Sequence, residues 1–186
     1  MRRGALLLGL LLALTACSAT FTVNLPDQTL ELPGLSDTGG RIVYPQNGLS
    51  LEPPPVDVIR GLRVEGVLKA SKDSKPLILS LTLEFYARTK DPSQDPDCQP
   101  LSLPFAPQGI GVEPALYLCP VGPEDEKVGE ASFQNSQQAS FTLQGPKLAE
   151  GIKAGKLWLG IKASGLPSTP LTLTFRDMKA YVTVGL

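Results

Sequence analysis

The sequence predicts an all-β fold, an antiparallel β-sandwich with one short helix, on three observations. Apolar residues recur with a period of two along several segments, the pattern of strands with one face buried and one wet. The 18 glycines and 18 prolines lift turn formers well above their usual share of about 12%, while Leu and Val stay abundant, as in a turn-rich globular chain. Strand signals are not interleaved with helix signals, which argues against a parallel α/β sheet.

The clearest strand covers residues 77–88, where Leu77, Leu79, Leu81, Leu83, Phe85 and Ala87 share one face and Ile78, Ser80, Thr82, Glu84, Tyr86 and Arg88 the other. Just before it, Leu62, Val64, Leu68 and Ala70 alternate with Arg63, Glu65 and Lys69. The intervening Lys72-Asp73-Ser74-Lys75-Pro76 reads as a turn, so the two runs are expected to form a hairpin. Later, Leu157, Leu159, Ile161 and Ala163 alternate with Lys156, Trp158 and Lys162, again with one face expected to be wet. In residues 171–184 the apolar phase of Leu171, Leu173 and Phe175 restarts at Met178, Ala180, Val182 and Val184, which predicts one long strand with a β-bulge near Arg176 and Asp177. Weaker strand signals fall at residues 20–25, 28–32, 41–44, 56–60, 115–119, 131–134 and 139–144.

The one helix signal is residues 146–154, with Pro146 at the first position, Leu148 and Ile152 on one face, and Gly155 placed to cap the end. Residues 89–114, rich in Pro and Gly with little periodicity, read as a long loop lying over the sandwich. A long bulged last strand preceded by a short helix resembles the pattern of jelly-roll domains.

Composition removes several function classes. There is no histidine, so no His-based triad, imidazole metal ligand or histidine general base is available. Lys and Arg number 17 against 18 Asp and Glu, a balance unsuited to nucleic-acid binding. Phosphate-binding and dinucleotide-binding glycine motifs are missing, and the cysteine spacing matches no zinc site. No catalytic residue, cofactor or metal is therefore expected. Asp91, Asp95 and Asp97 offer oxygen ligands of the kind Ca²⁺ takes, but Asp and Pro are also the favoured turn formers, and both readings stand at this point. Glu124-Asp125-Glu126, following Gly122-Pro123, reads as a solvated turn.

By the alternation, Tyr86, Trp158 and Tyr181 lie opposite the leucine-rich faces, beside Arg88, Lys156, Lys162 and Lys179. Outward aromatics among polar groups suit a platform for sugar rings or a peptide. The alternative is that the long loop or a strand edge covers them as a satellite core.

The N-terminus fixes an expected location. Arg2 and Arg3 precede an apolar run from Gly4 to Leu14 that is too short to span a bilayer, and Leu14-Thr15-Ala16-Cys17 follows. This segment resembles the signal peptide and lipobox of bacterial lipoproteins. The resemblance implies removal of residues 1–16, acylation of Cys17 and anchoring of a single domain, residues 17–186, to the membrane through its lipid. Ser18 after the cysteine is compatible with export to an outer membrane where the host has one. The first strand signal begins within about three residues of Cys17, so the domain is expected close to the bilayer. With Cys17 lipidated, Cys98 and Cys119 remain in a compartment that permits disulfides and are expected to pair. Closing a loop of about 22 residues would add about 3 kcal/mol. The expected role is a non-enzymatic binding or structural module of the cell envelope, with an envelope protein or polysaccharide as partner. The alternatives are a carbohydrate-binding module and, third, an envelope hydrolase.

Overall fold

In the computed structural model, residues 18–32, 34, 38–50, 59–101 and 116–185 are described. Residues 1–17, on which the expected leader and lipidation site fall, and the first part of the 56–60 strand signal lie outside them, as do Ala115 and much of the 89–114 loop. In chain order the elements are β1 (Ser18–Asn24), β2 (Gln28–Leu32), β3 (Ile42–Pro45), β4 (Leu49–Ser50), β5 (Ile59–Lys72), β6 (Lys75–Pro76) and β7 (Leu79–Arg88). They continue with β8 (Gln99–Pro100), β9 (Leu116–Cys119), β10 (Glu126–Ser136), β11 (Gln138–Gln144), α1 (Pro146–Ala154), β12 (Lys156–Ala163) and β13 (Leu171–Gly185). The strands join in one antiparallel sheet in the order β1-β13-β5-β11-β10-β7-β12-β3-β9-β8, with β2 beside β13, β4 beside β12 and β6 beside β5. The sheet is open, with β1 and β8 at the two ends of that path.

Curling of this sheet encloses the main core. β7 and β13 stand four strand spacings apart in the order, about 19 Å in a flat sheet. Yet Phe85 on β7 and Phe175 on β13 bring their ring centroids to 6.0 Å, and Phe141 on β11 sits 5.9 and 5.5 Å from the two. Leu68, Leu83, Leu157, Leu171 and Leu173 surround these rings. α1 packs Leu148 into the same core, and Gly151 is required there because a Cβ would come within 2.6 Å of Leu157. Its ends follow the sequence signals: Pro146 opens it, and Gly155 at φ 71° turns the chain out. No helix among the described residues is long and apolar enough to cross a membrane.

The bulge in the last strand falls where the phase change placed it. Pairing with β5 shifts register between Arg176 and Lys179, and Asp177 takes φ 52°. Met178 and Ala180 thereby return to the core side after Phe175.

The expected hairpin between residues 62–70 and 77–88 does not form. Asp73 and Ser74, both at positive φ, turn β5 back onto the two-residue β6. Pro76 lacks an N–H and suits only such a short edge piece, and the chain then crosses to the far part of the sheet. β5 pairs with β11 and β13, and β7 with β10 and β12.

A second correction concerns the wet faces. β7 ends in four consecutive buried residues, and β12 buries Trp158 as well as Leu157. β3 and β9 close over their outer side, and Ile42, Tyr44, Tyr86, Cys98, Tyr117, Cys119 and Trp158 form a second buried cluster there. Gly160 makes this possible, since a Cβ on it would lie 2.5 Å from both Ile42 and Tyr44.

Candidate functional site

The second cluster gathers most of the residues singled out in the sequence, together with an ionic group that alternation assigned to solvent. Cys98 and Cys119 are disulfide-bonded, tying the segment after β7 to the end of β9. Arg88, the last residue of β7, lies against that bond and is 1% exposed. Its Nη1 donates to Cys98 Sγ at 3.1 Å and to Cys119 Sγ at 3.3 Å, while Nη2 bonds to Asp95 Oδ2. Nε faces Asp125 Oδ1 at 3.4 Å, near enough for the charges to attract but outside hydrogen-bond geometry.

The Asp125 side chain is as buried as that of Arg88 and is held from three sides. Its Oδ1 also accepts the Tyr44 hydroxyl at 2.8 Å, and its Oδ2 accepts the Gly122 N–H at 2.9 Å. Burial first, and then the Asp125 carboxylate, push the Tyr44 phenol above its ordinary pKa, so it stays protonated and donates. The Tyr44 ring lies under the Arg88 guanidinium, 5.3 Å away. The hydrogen bond from Arg88 lowers the pKa of Asp95, which also accepts the Asp97 N–H.

The Glu124-Asp125-Glu126 turn is therefore not simply solvated. Asp125 faces inward, and Glu126 accepts the Lys147 N–H at 2.7 Å, serving the N-terminus of α1. In the 91–97 stretch, Asp91 caps the short turn Pro92–Gln94 by accepting from the Ser93 N–H and hydroxyl. Asp95 is committed to Arg88. The three aspartates do not converge, and no metal-binding cluster occurs among the described residues.

Of the three aromatics, the structure brings two together. Trp158 is 2% exposed, with Nε1 donating to Gln46 O at 3.2 Å and Gly48 lying against its indole. Tyr86 is 6% exposed and passes its hydroxyl toward Glu84 and Lys162. Tyr181 is elsewhere, half-buried on β13 with Arg63 4.6 Å from its ring centroid. Two open depressions lie away from all three, one of about 360 Å³ over β10 and β11 and one of about 370 Å³ beside β6.

The burial and association of Arg88, Asp125 and Tyr44 escaped sequence reasoning, since strand alternation and turn composition give a polar residue a place and say nothing about what packs there. The usable signal was indirect: an arginine and an aspartate each lie within about ten residues of a disulfide cysteine, in segments that the bond draws together.

On the outer surface Glu84 bridges Lys127 and Lys162, each at 2.8 Å. Hydrogen bonds from Lys127 and then Lys162 lower its pKa from 4.5 to about 2, and both lysines are raised in turn. Because the folded value is depressed, the bridge contributes fully above pH 4.5 and is lost as pH falls toward about 2. Glu84 is 27% and Lys127 41% exposed, so solvent screening reduces the contribution to about 1 kcal/mol. The stability difference between wild type and Glu84→Gln, followed by urea denaturation, should thus shrink through that window. A difference independent of pH would show that the bridge contributes nothing.

No protein-family model and no curated protein matches this chain.

Proposed function

We propose that the chain is a lipid-anchored lipoprotein of the bacterial cell envelope whose β domain has a non-enzymatic, structural or binding role. Leu14-Thr15-Ala16-Cys17 carries this reading, standing directly before β1. Cys17 is the proposed acylated residue, residues 1–16 the removed leader, and residues 17–186 a single domain. Its curled sheet is read as a sandwich of jelly-roll type, with the Phe85, Phe141 and Phe175 rings between its halves. The disulfide fits an oxidising compartment outside the cytoplasm.

Within this reading the structural role is favoured over polysaccharide recognition. A sugar platform needs open aromatic faces, whereas Trp158 and Tyr86 are committed to the second cluster. Cys17→Ser tests the anchor: the variant should lose metabolic lipid labelling and leave the detergent-extracted membrane fraction. Unchanged labelling and partitioning would sink the proposal.

A further inference from the structure

The geometry points to a membrane-contacting face on β1, formed by Ala19, Phe21 and Val23, that rests on the bilayer interface beside the lipid anchor. The inference builds on the lipoprotein reading above and adds which surface of the domain meets the membrane.

β1 is exposed along its whole length, yet its two faces differ. Ala19, Phe21 and Val23 pair with Val184, Val182 and Ala180 of β13, and the next strand continues that face with Leu62 and Val64. The opposite face carries Ser18, Thr20, Thr22 and Asn24, with Thr20 and Thr183 hydroxyls 3.3 Å apart and Tyr181 beside Arg63. Leu62 and Val64 pack against the main core. The core face of the sheet therefore runs on past the core and emerges at β1, where Phe21 is 57% and Val23 48% exposed.

The location of this emergent face identifies its occupant. Cys17 is the residue before β1 in the sequence, so acyl chains attached there start no more than about 14 Å from Phe21, the reach of four extended residues. An apolar strip held that near a bilayer by a covalent anchor gains from entering the headgroup and acyl boundary. β1 also ends the sheet, and the backbone groups on its outer edge need water or headgroups, which keeps the strand at the interface and out of the hydrocarbon. None of the described residues named on this face is charged, so zwitterionic phosphatidylcholine should suffice as the surface.

The test uses the full, acylated chain in phosphatidylcholine vesicles, with a single environment-sensitive NBD label at Phe21→Cys or Val23→Cys and, as the opposite-face control, at Thr22→Cys. Nitroxides on the acyl chains should quench the label at positions 21 and 23 by about twofold and leave position 22 nearly unaffected. Equal, water-like emission at all three positions in protein that is still acylated and vesicle-bound would overturn the docking face and leave the anchor standing. Absence of acylation at Cys17 would overturn both. Labels at 21 and 23 that are shielded from water but not quenched by lipid nitroxides would mean that protein covers the face, a second copy if dilution exposes it and another part of this chain if not. Either result overturns the inference.

Discussion

Replacing Arg88 with leucine should lower stability by about 3–5 kcal/mol in urea denaturation, the range for removing one partner of a buried ion pair. Burial decides this magnitude. An exposed Arg–Asp contact contributes about 0–1 kcal/mol because water replaces either partner. Here Arg88 and Asp125 both have 1% side-chain exposure, so water does not reach the carboxylate left behind. The Tyr44 hydroxyl and Gly122 N–H would still hold Asp125, but neither carries a compensating charge. Asp95 would lose its main partner too, releasing the turn between β7 and the disulfide. Arg88→Lys should recover little of the loss, since one ammonium cannot reach the sulfurs, Asp95 and Asp125 along the directions of the guanidinium fork. A cost below about 1 kcal/mol for Arg88→Leu would mean that the ionic group does not hold this part of the fold.

Trp158→Ala should cost about 3–5 kcal/mol, as large-to-small changes in packed sites do. The indole is buried in the second cluster with Ile42 and Tyr44 of β3 and lies against Gly48, and its removal also deletes the hydrogen bond to the Gln46 carbonyl. For a domain of this size the melting temperature should fall by about 10 °C, measurable by calorimetry. An aromatic standing in solvent as a ligand platform would leave the melting temperature nearly unchanged, so one thermal scan separates the two roles. A small shift with loss of polysaccharide binding would reinstate the carbohydrate reading.

Features governed by neighbouring residues were legible in the sequence. The helix Pro146–Ala154 was marked at both ends, because an N-terminal proline and a left-handed glycine act on their own backbone. β2 fell at its expected residues, and the bulge at Arg176 and Asp177 showed as a break in period, since a bulge shifts every later side chain to the other face. The pairing of Cys98 with Cys119 was accessible by elimination under the expectation that Cys17 is lipidated.

Partner choice was not legible. The alternation of residues 62–70 and 77–88 is real, but it fixes faces and not neighbours; Pro76 and the tight turn at Asp73 and Ser74 sent the second strand to β10 and β12. Nor does alternation reveal what lies above a polar face. Tyr86, Arg88 and Trp158 read as outward because their strands have an inward side, and outward they are, into a second buried cluster. Period and turn chemistry, being properties of adjacent residues, determined the all-β class, the helix and the bulge. The single curled sheet, the burial of Trp158 and the ionic group of Arg88, Asp95 and Asp125 were decided by tertiary structure, because each depends on segments distant in sequence meeting in space.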